Sequence, residues 1–111
     1  MIKYSLDESN LLVEFTISEL DHHVSTEIRE TLDELLSARQ IKNIVFDFRN
    51  ISFMDSSGIG VIIGRYKKIS NENGRVAIVN VSPRVRKIFD LSGLNKIIFI
   101  YDTYEEAESS L

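Results

Sequence analysis

Over the first seventeen residues apolar and polar positions follow a strand-like pattern, which then gives way to helical spacing. Met1 to Leu6 and Asn10 to Ile17 read as two strands, and the polar Asp7-Glu8-Ser9 between them reads as a hairpin turn with no room for a helix. A polar cluster, Ser18 to His23, follows. Val24, Ile28, Leu32, Leu35 and Leu36 then recur at helical intervals up to Ser37. Ser25 is the expected N-cap, and Glu27 falls in the first turn, where a carboxylate meets the positive end of the helix dipole. Asn43 to Phe48 is β-branched and aromatic, the pattern of a central strand buried on both faces.

Arg49 to Ser57 leads into a second helix, from about Ser57 to Asn71, with an apolar stripe of Ile59, Ile62, Ile63, Tyr66 and Ile69. Gly60 and Gly64 lie one turn apart on it. Each glycine costs about 1 kcal/mol relative to alanine in a helix, so the pair predicts close backbone packing against the sheet. Gly74 to Val81 is the next strand. Ser82 caps a third helix with Pro83 at its first position, Val85, Ile88 and Phe89 form its inner face, and Gly93 ends it. Lys96 to Tyr101 reads as the last strand, and Thr103 with Glu106 makes a capping box for a short final helix.

The order β-β-α-β-α-β-α-β-α predicts an α/β fold in one domain over residues 1–111. Its sheet is mixed but mostly parallel, with an N-terminal antiparallel edge strand and about four helices. Such folds place function in the loops at the carboxyl ends of their parallel strands. Three loops fall there: Ser18 to His23, Arg49 to Ser57, and Asn80 to Pro83.

Composition narrows the function. The chain is 43% hydrophobic and 27% charged, ordinary for a globular protein. The absence of cysteine excludes disulfides and thiolate metal sites and fits a reducing cytoplasm. The net charge is -4, with lysine and arginine scattered, which disfavours nucleic acid or an anionic membrane as partner. The first eight residues are charged rather than signal-like, and the longest apolar stretch, around Gly58 to Gly64, is far too short to span a bilayer.

Asp55-Ser56-Ser57-Gly58 is the segment richest in candidate chemistry. Its bland reading is a helix start, with Asp or Ser as the cap. The same geometry exposes a serine where free backbone N–H groups favour a phosphate. These residues alone do not choose between Ser56 and Ser57. A serine hydrolase elbow needs Gly-x-Ser-x-Gly, and the first glycine is missing here. His22 and His23, the only histidines, read as solvated loop residues, and no second ligand pair suggests a metal. Asp47 reads as a strand-end residue, not a receiver-type phosphoacceptor, because a hairpin rather than a helix joins the first two strands. Gly58, Gly60 and Gly64 miss both nucleotide-binding glycine fingerprints.

Taken together, SELDHH, SFMDSSGIGVIIGRYKKI and VSPRVRKIFDLSGLNKII closely resemble the anti-sigma factor antagonists, over nearly the whole chain. The resemblance implies a STAS domain that is a binding module rather than an enzyme. It implies that the unphosphorylated form binds an anti-sigma factor that is itself a serine kinase, carrying ATP or ADP, and so frees a sporulation sigma factor of the sigma-F type. It implies phosphorylation on the serine directly after the aspartate, here Ser56, reversed by a PP2C-type phosphatase. Nucleotide and metal belong to those partners, so no cofactor is expected. By position, Asp55, Ser57 and Gly58 frame the phosphosite, and Glu19 and Asp21 match the family's acidic, kinase-engaging loop. Ser18 departs from the glycine that many relatives carry there. A stress-response antagonist with another kinase would share the fold and the phosphoserine. The expectation is that Ser56 and the Glu19/Asp21 loop form one acidic surface, where a phosphate would take the net charge from -4 to roughly -5.5 to -6.

Overall fold

A computed structural model describes residues 1–111. Its frame is a five-stranded sheet of β1 (Ile2–Asp7), β2 (Asn10–Phe15), β4 (Asn43–Asp47), β6 (Val76–Val79) and β7 (Phe99–Tyr101), in the spatial order β1-β2-β4-β6-β7. The β1–β2 pair is antiparallel and the other three are parallel. The hairpin turns at Glu8 and Ser9, with Glu8 at φ 57°, so Asp7 pairs directly with Asn10. All five residues of β4 are buried, as its sequence predicts.

Strand alternation divides the interior. Leu11, Val13, Phe15, Ile44, Phe46, Val76 and Ile78 point to one face. There they meet Ile28 and Leu32 of α1 (Ser25–Ala38), Val61, Ile62 and Ile69 of α2 (Ser56–Ser70), and Val85 and Phe89 of α3 (Pro83–Ser92). The other face carries Leu12, Val45, Ala77, Val79 and Tyr101, covered by Ala107, Tyr104 and Leu111 around α4 (Tyr104–Ser110). Near the strand ends Phe15 stacks on Phe46 at 5.8 Å, and Phe48 meets Phe15 and Phe89 edge-on at 5.3 and 5.4 Å. Such pairs each add about 0.5–1.5 kcal/mol beyond burial. No helix is long and apolar enough to cross a membrane.

Local signals hold at three helix ends. Ser82 accepts from Val85 N–H at 3.2 Å with Pro83 at the first helical position, and Gly93 ends α3 at φ 80°. The Thr103–Glu106 capping box forms, with Glu106 N–H donating to the Thr103 hydroxyl at 3.2 Å.

Four expectations are corrected. Val24, not Ser25, holds the N-cap position of α1, and no side chain caps it. The Asp21 carbonyl already accepts the N–H groups of Val24 and Ser25, so the chain winds into the helix through a turn, and Ser25 is buried inside the first turn. Gly60 and Gly64 are not close-packed, because a Cβ on either would meet nothing within 4 Å. The last strand is shorter than Lys96–Tyr101, since Leu94–Lys96 forms a 3-10 turn and only Phe99–Tyr101 joins the sheet. The second strand stops at Phe15, and Glu19–Leu20 forms a separate strand, β3, parallel to β5 (Phe53–Met54).

Candidate functional site

The β3–β5 pair builds the site by joining two of the three predicted loops. The Ser18 carbonyl accepts Ser52 N–H at 2.8 Å and Phe53 N–H at 3.4 Å. Glu19 then pairs with Phe53 and Leu20 with Met54, and the Leu20 carbonyl accepts Asp55 N–H at 3.4 Å. Leu20 and Met54 point into the core, which anchors both loops beside the start of α2.

Asp55 is the junction. Its Oδ1 accepts the N–H groups of Ser57 at 2.9 Å and Gly58 at 3.2 Å, capping α2. Its Oδ2 accepts His22 N–H at 3.1 Å and lies 3.5 Å from His22 Nδ1. One carboxylate therefore caps the helix with one oxygen and holds the acidic loop with the other. Burial pushes the Asp55 carboxyl up, but the hydrogen bonds from Gly58, His22 and Ser57 outweigh it and hold the group below its ordinary value.

Gly58 lets the two loops close up. Its Cα faces the Leu20 backbone, so a Cβ there would overlap the Leu20 carbonyl oxygen and lie 2.9 Å from Leu20 Cγ. Gly58 is buried, Ser57 half-buried, and Ser56, the first helical residue, exposed. Glu19 is exposed and Asp21 half-buried, and Asp21 Oδ1 accepts His23 N–H at 3.0 Å within its own turn. The predicted residues Glu19, Asp21, Asp55, Ser56, Ser57 and Gly58 thus gather around one loop–helix junction.

His22 contributes more than its sequence suggests. Its ring lies 4.0 Å from that of His23 and faces the Asp55 carboxylate rather than a serine hydroxyl. No local signal marks this, because the contact spans 33 residues. On the other flank the Arg84 guanidinium sits 5.7 Å over the Phe53 ring. The third loop is tied in below. Asp47, buried at the end of β4, accepts Arg49 Nε and Nη2 at 2.8 and 2.6 Å and Asn80 Nδ2 at 3.1 Å. Asn80 itself sits at φ 59°, a left-handed conformation that asparagine tolerates. No three His, Cys, Asp or Glu side chains converge as a metal site.

A family model described as the STAS domain matches residues 6–107. The chain is 47% identical over 93 residues to an anti-sigma F factor antagonist of Paenibacillus polymyxa, covering 84% of this chain and 80% of that protein. It is 34% identical over 82 residues to an anti-sigma-B factor antagonist of Bacillus subtilis (strain 168), covering 74% and 73%. The solved structure of the anti-sigma factor antagonist SpoIIAA in its unphosphorylated form matches with a TM-score of 0.84 at 32% identity, covering 99% of this chain and 95% of that one. The phosphorylated form of the Bacillus SpoIIAA matches at 0.74 with 31% identity, covering 99% and 98%.

Proposed function

The chain belongs to the STAS domain family of anti-sigma factor antagonists, and from that premise we propose that it is a phosphorylation-controlled partner switch of the sporulation sigma-F type. In this reading the unphosphorylated protein works in the cytoplasm as a non-catalytic module. It binds an anti-sigma factor serine kinase carrying ATP or ADP, and the sigma factor is released. Phosphorylation of Ser56 ends the interaction, and a PP2C-type phosphatase restores it.

The observation that carries the reading is the junction itself. Ser56 is exposed at the first position of α2, next to a carboxylate that ties the Glu19/Asp21 loop to the same helix end. A partner offering cations to Glu19 and Asp21 would also cover Ser56. A phosphate there suits the helix dipole locally. It adds about -1.5 to -2 charges to an already acidic surface, together with bulk and a desolvation cost that a close-fitting partner would have to meet. Exposure also favours Ser56 over the half-buried Ser57 as the acceptor, a choice the sequence left to family resemblance.

The test is intact mass and site mapping after incubation with the cognate kinase and ATP, using wild type, Ser56→Ala and Ser57→Ala. One added phosphate, lost only in Ser56→Ala, is the expected result. Loss only in Ser57→Ala moves the site, and no phosphate from a kinase active on another substrate removes the switch. The similarity to an anti-sigma-B antagonist supports a second reading, a stress-response pathway, which a pulldown with both candidate kinases separates. A serine hydrolase reading lacks the Gly-x-Ser-x-Gly elbow, and an active-site serine probe should leave the protein unlabelled.

A further inference from the structure

We propose that His22 is the proton-accepting partner of the Ser56 switch: when Ser56 carries a phosphate, the imidazole takes up a proton and joins Asp55 and the phosphate in one charge cluster. The proposal rests on the Ser56 reading above and adds how that site is regulated. Its basis is the loop–helix contact. His22 Nδ1 lies 3.5 Å from Asp55 Oδ2, and the same carboxylate oxygen accepts His22 N–H at 3.1 Å. The imidazole side chain is 67% exposed, so water and protons reach it freely.

The surroundings leave a protonated His22 well supplied with anions. Asp55 faces it from the N-cap of α2 and Asp21 adjoins it in the loop, while the His23 ring lies against it at 4.0 Å. Glu19 of β3 and Glu27 in the first turn of α1 complete the titratable groups nearby in the chain. With Ser56 unmodified, Asp55 already meets its hydrogen-bond needs through three backbone N–H groups. A phosphate on the next residue changes this. One helix end would then hold a carboxylate and a group of about -1.5 to -2 charges, more than the roughly +0.5 charge of the helix terminus offsets. His22 is the side chain in contact with Asp55 that can carry a positive charge.

The proton balance is simple. Transfer from ATP breaks the bond between its γ-phosphorus and ADP and forms the Ser56 Oγ–P bond, the hydroxyl proton passes to solvent, and the proton on His22 comes from solvent. A phosphate dianion and an imidazolium held beside one carboxylate would each favour the other's charged form. By linkage, acid that protonates His22 favours the phosphorylated state as much as phosphorylation favours the proton.

The experiment uses the full chain with phosphoserine installed at position 56 during translation, so that no kinase is required. Proton NMR follows both histidines and phosphorus NMR follows the phosphate across pH 5 to about 8. The His22 midpoint should rise by about one pH unit on phosphorylation, and the phosphate midpoint should rise by a few tenths in His22→Gln, which loses the imidazolium. His22→Gln keeps the backbone N–H to Asp55, and its amide spectrum checks the fold. An unchanged His22 midpoint, or a phosphate midpoint unaffected by His22→Gln, overturns the proposal. Kinase labelling of the unmodified protein is scored separately. A kinase that ignores Ser56 defeats the switch reading while the titration still reports on His22.

Discussion

Gly58 of α2 and Leu20 of β3 are in backbone contact, with no space between them for even a methyl group. This contact holds the acidic loop against the start of the helix that presents Ser56.

Gly58→Ala should therefore act on function as well as stability. The added Cβ meets a carbonyl oxygen, which cannot swing aside as a side-chain end can, so β3 must shift. We expect a loss of about 1–3 kcal/mol in stability and at least a roughly tenfold loss in affinity for the proposed anti-sigma kinase partner. Gly74→Ala is the control. Its Cβ would overlap the Lys42 carbonyl oxygen, next to where β4 begins at the opposite end of the sheet. It should cost stability and leave affinity intact. Chemical denaturation and calorimetric binding on both variants decide the matter, and equal affinity losses would sink the assignment.

Gly64→Ala should do the reverse. A Cβ there meets nothing, and glycine inside a helix is unfavourable by about 0.5–1 kcal/mol relative to alanine. The variant should be more stable by that amount in urea unfolding. A drop in stability would restore the packing role expected from sequence.

Asp21→Lys should weaken kinase binding by roughly tenfold or more, because it reverses a charge on the surface proposed to receive the partner's cations. The Asp21 side chain accepts one local hydrogen bond, from His23 N–H, so the melting temperature should move little. Unchanged binding by a well-folded Asp21→Lys protein would remove Glu19 and Asp21 from the interface.

Arg65 is a buried cation between α1 and α2, with Nε 3.3 Å from Asp33 Oδ1, and Lys68 reaches the same oxygen at 2.8 Å. Burial lowers the Arg65 pKa from its ordinary value; Asp33 opposes this, and Arg29 adds to it. Asp33→Asn leaves that charge uncompensated and should cost about 2–4 kcal/mol. Replacing the pair with Asp33→Asn and Arg65→Met together should recover much of the loss. A double variant as unstable as the single one would show that the cation itself is not the problem.

Asp47 sets an acid dependence. Burial raises its pKa, but hydrogen bonds from Arg49 and Asn80 prevail and leave it below the usual value. Asp55 is lowered in the same direction. A carboxylate depressed in the folded state contributes stability that is fully present above its unfolded pKa of about 3.9 and is lost as pH falls through the lower folded value. Unfolding free energy should therefore decline from about pH 5 downward. Asp47→Asn should lose roughly 2 kcal/mol at neutral pH and flatten that acid slope. An undiminished slope in the variant would place the acid-sensitive groups elsewhere.

The sequence by itself determined the elements whose cause is local. Ser82 with Pro83, Gly93, and the Thr103–Glu106 box each depend on residues within a turn or two, and all formed as read. Asp55 as a possible helix cap was legible for the same reason. The tertiary structure alone decided what joins distant segments. A two-residue strand is too short to show a period, so β3 and β5 exist only through each other and the core beneath them. Gly58, Gly60 and Gly64 look alike in the chain, yet only Gly58 faces another backbone. Ser25 looked like a cap until the Asp21 carbonyl took over that role. The second hold of Asp55, on His22, crosses 33 residues. Local hydrogen bonding is written in neighbouring residues. Close approach between loops is fixed only when the hydrophobic core sets their spacing.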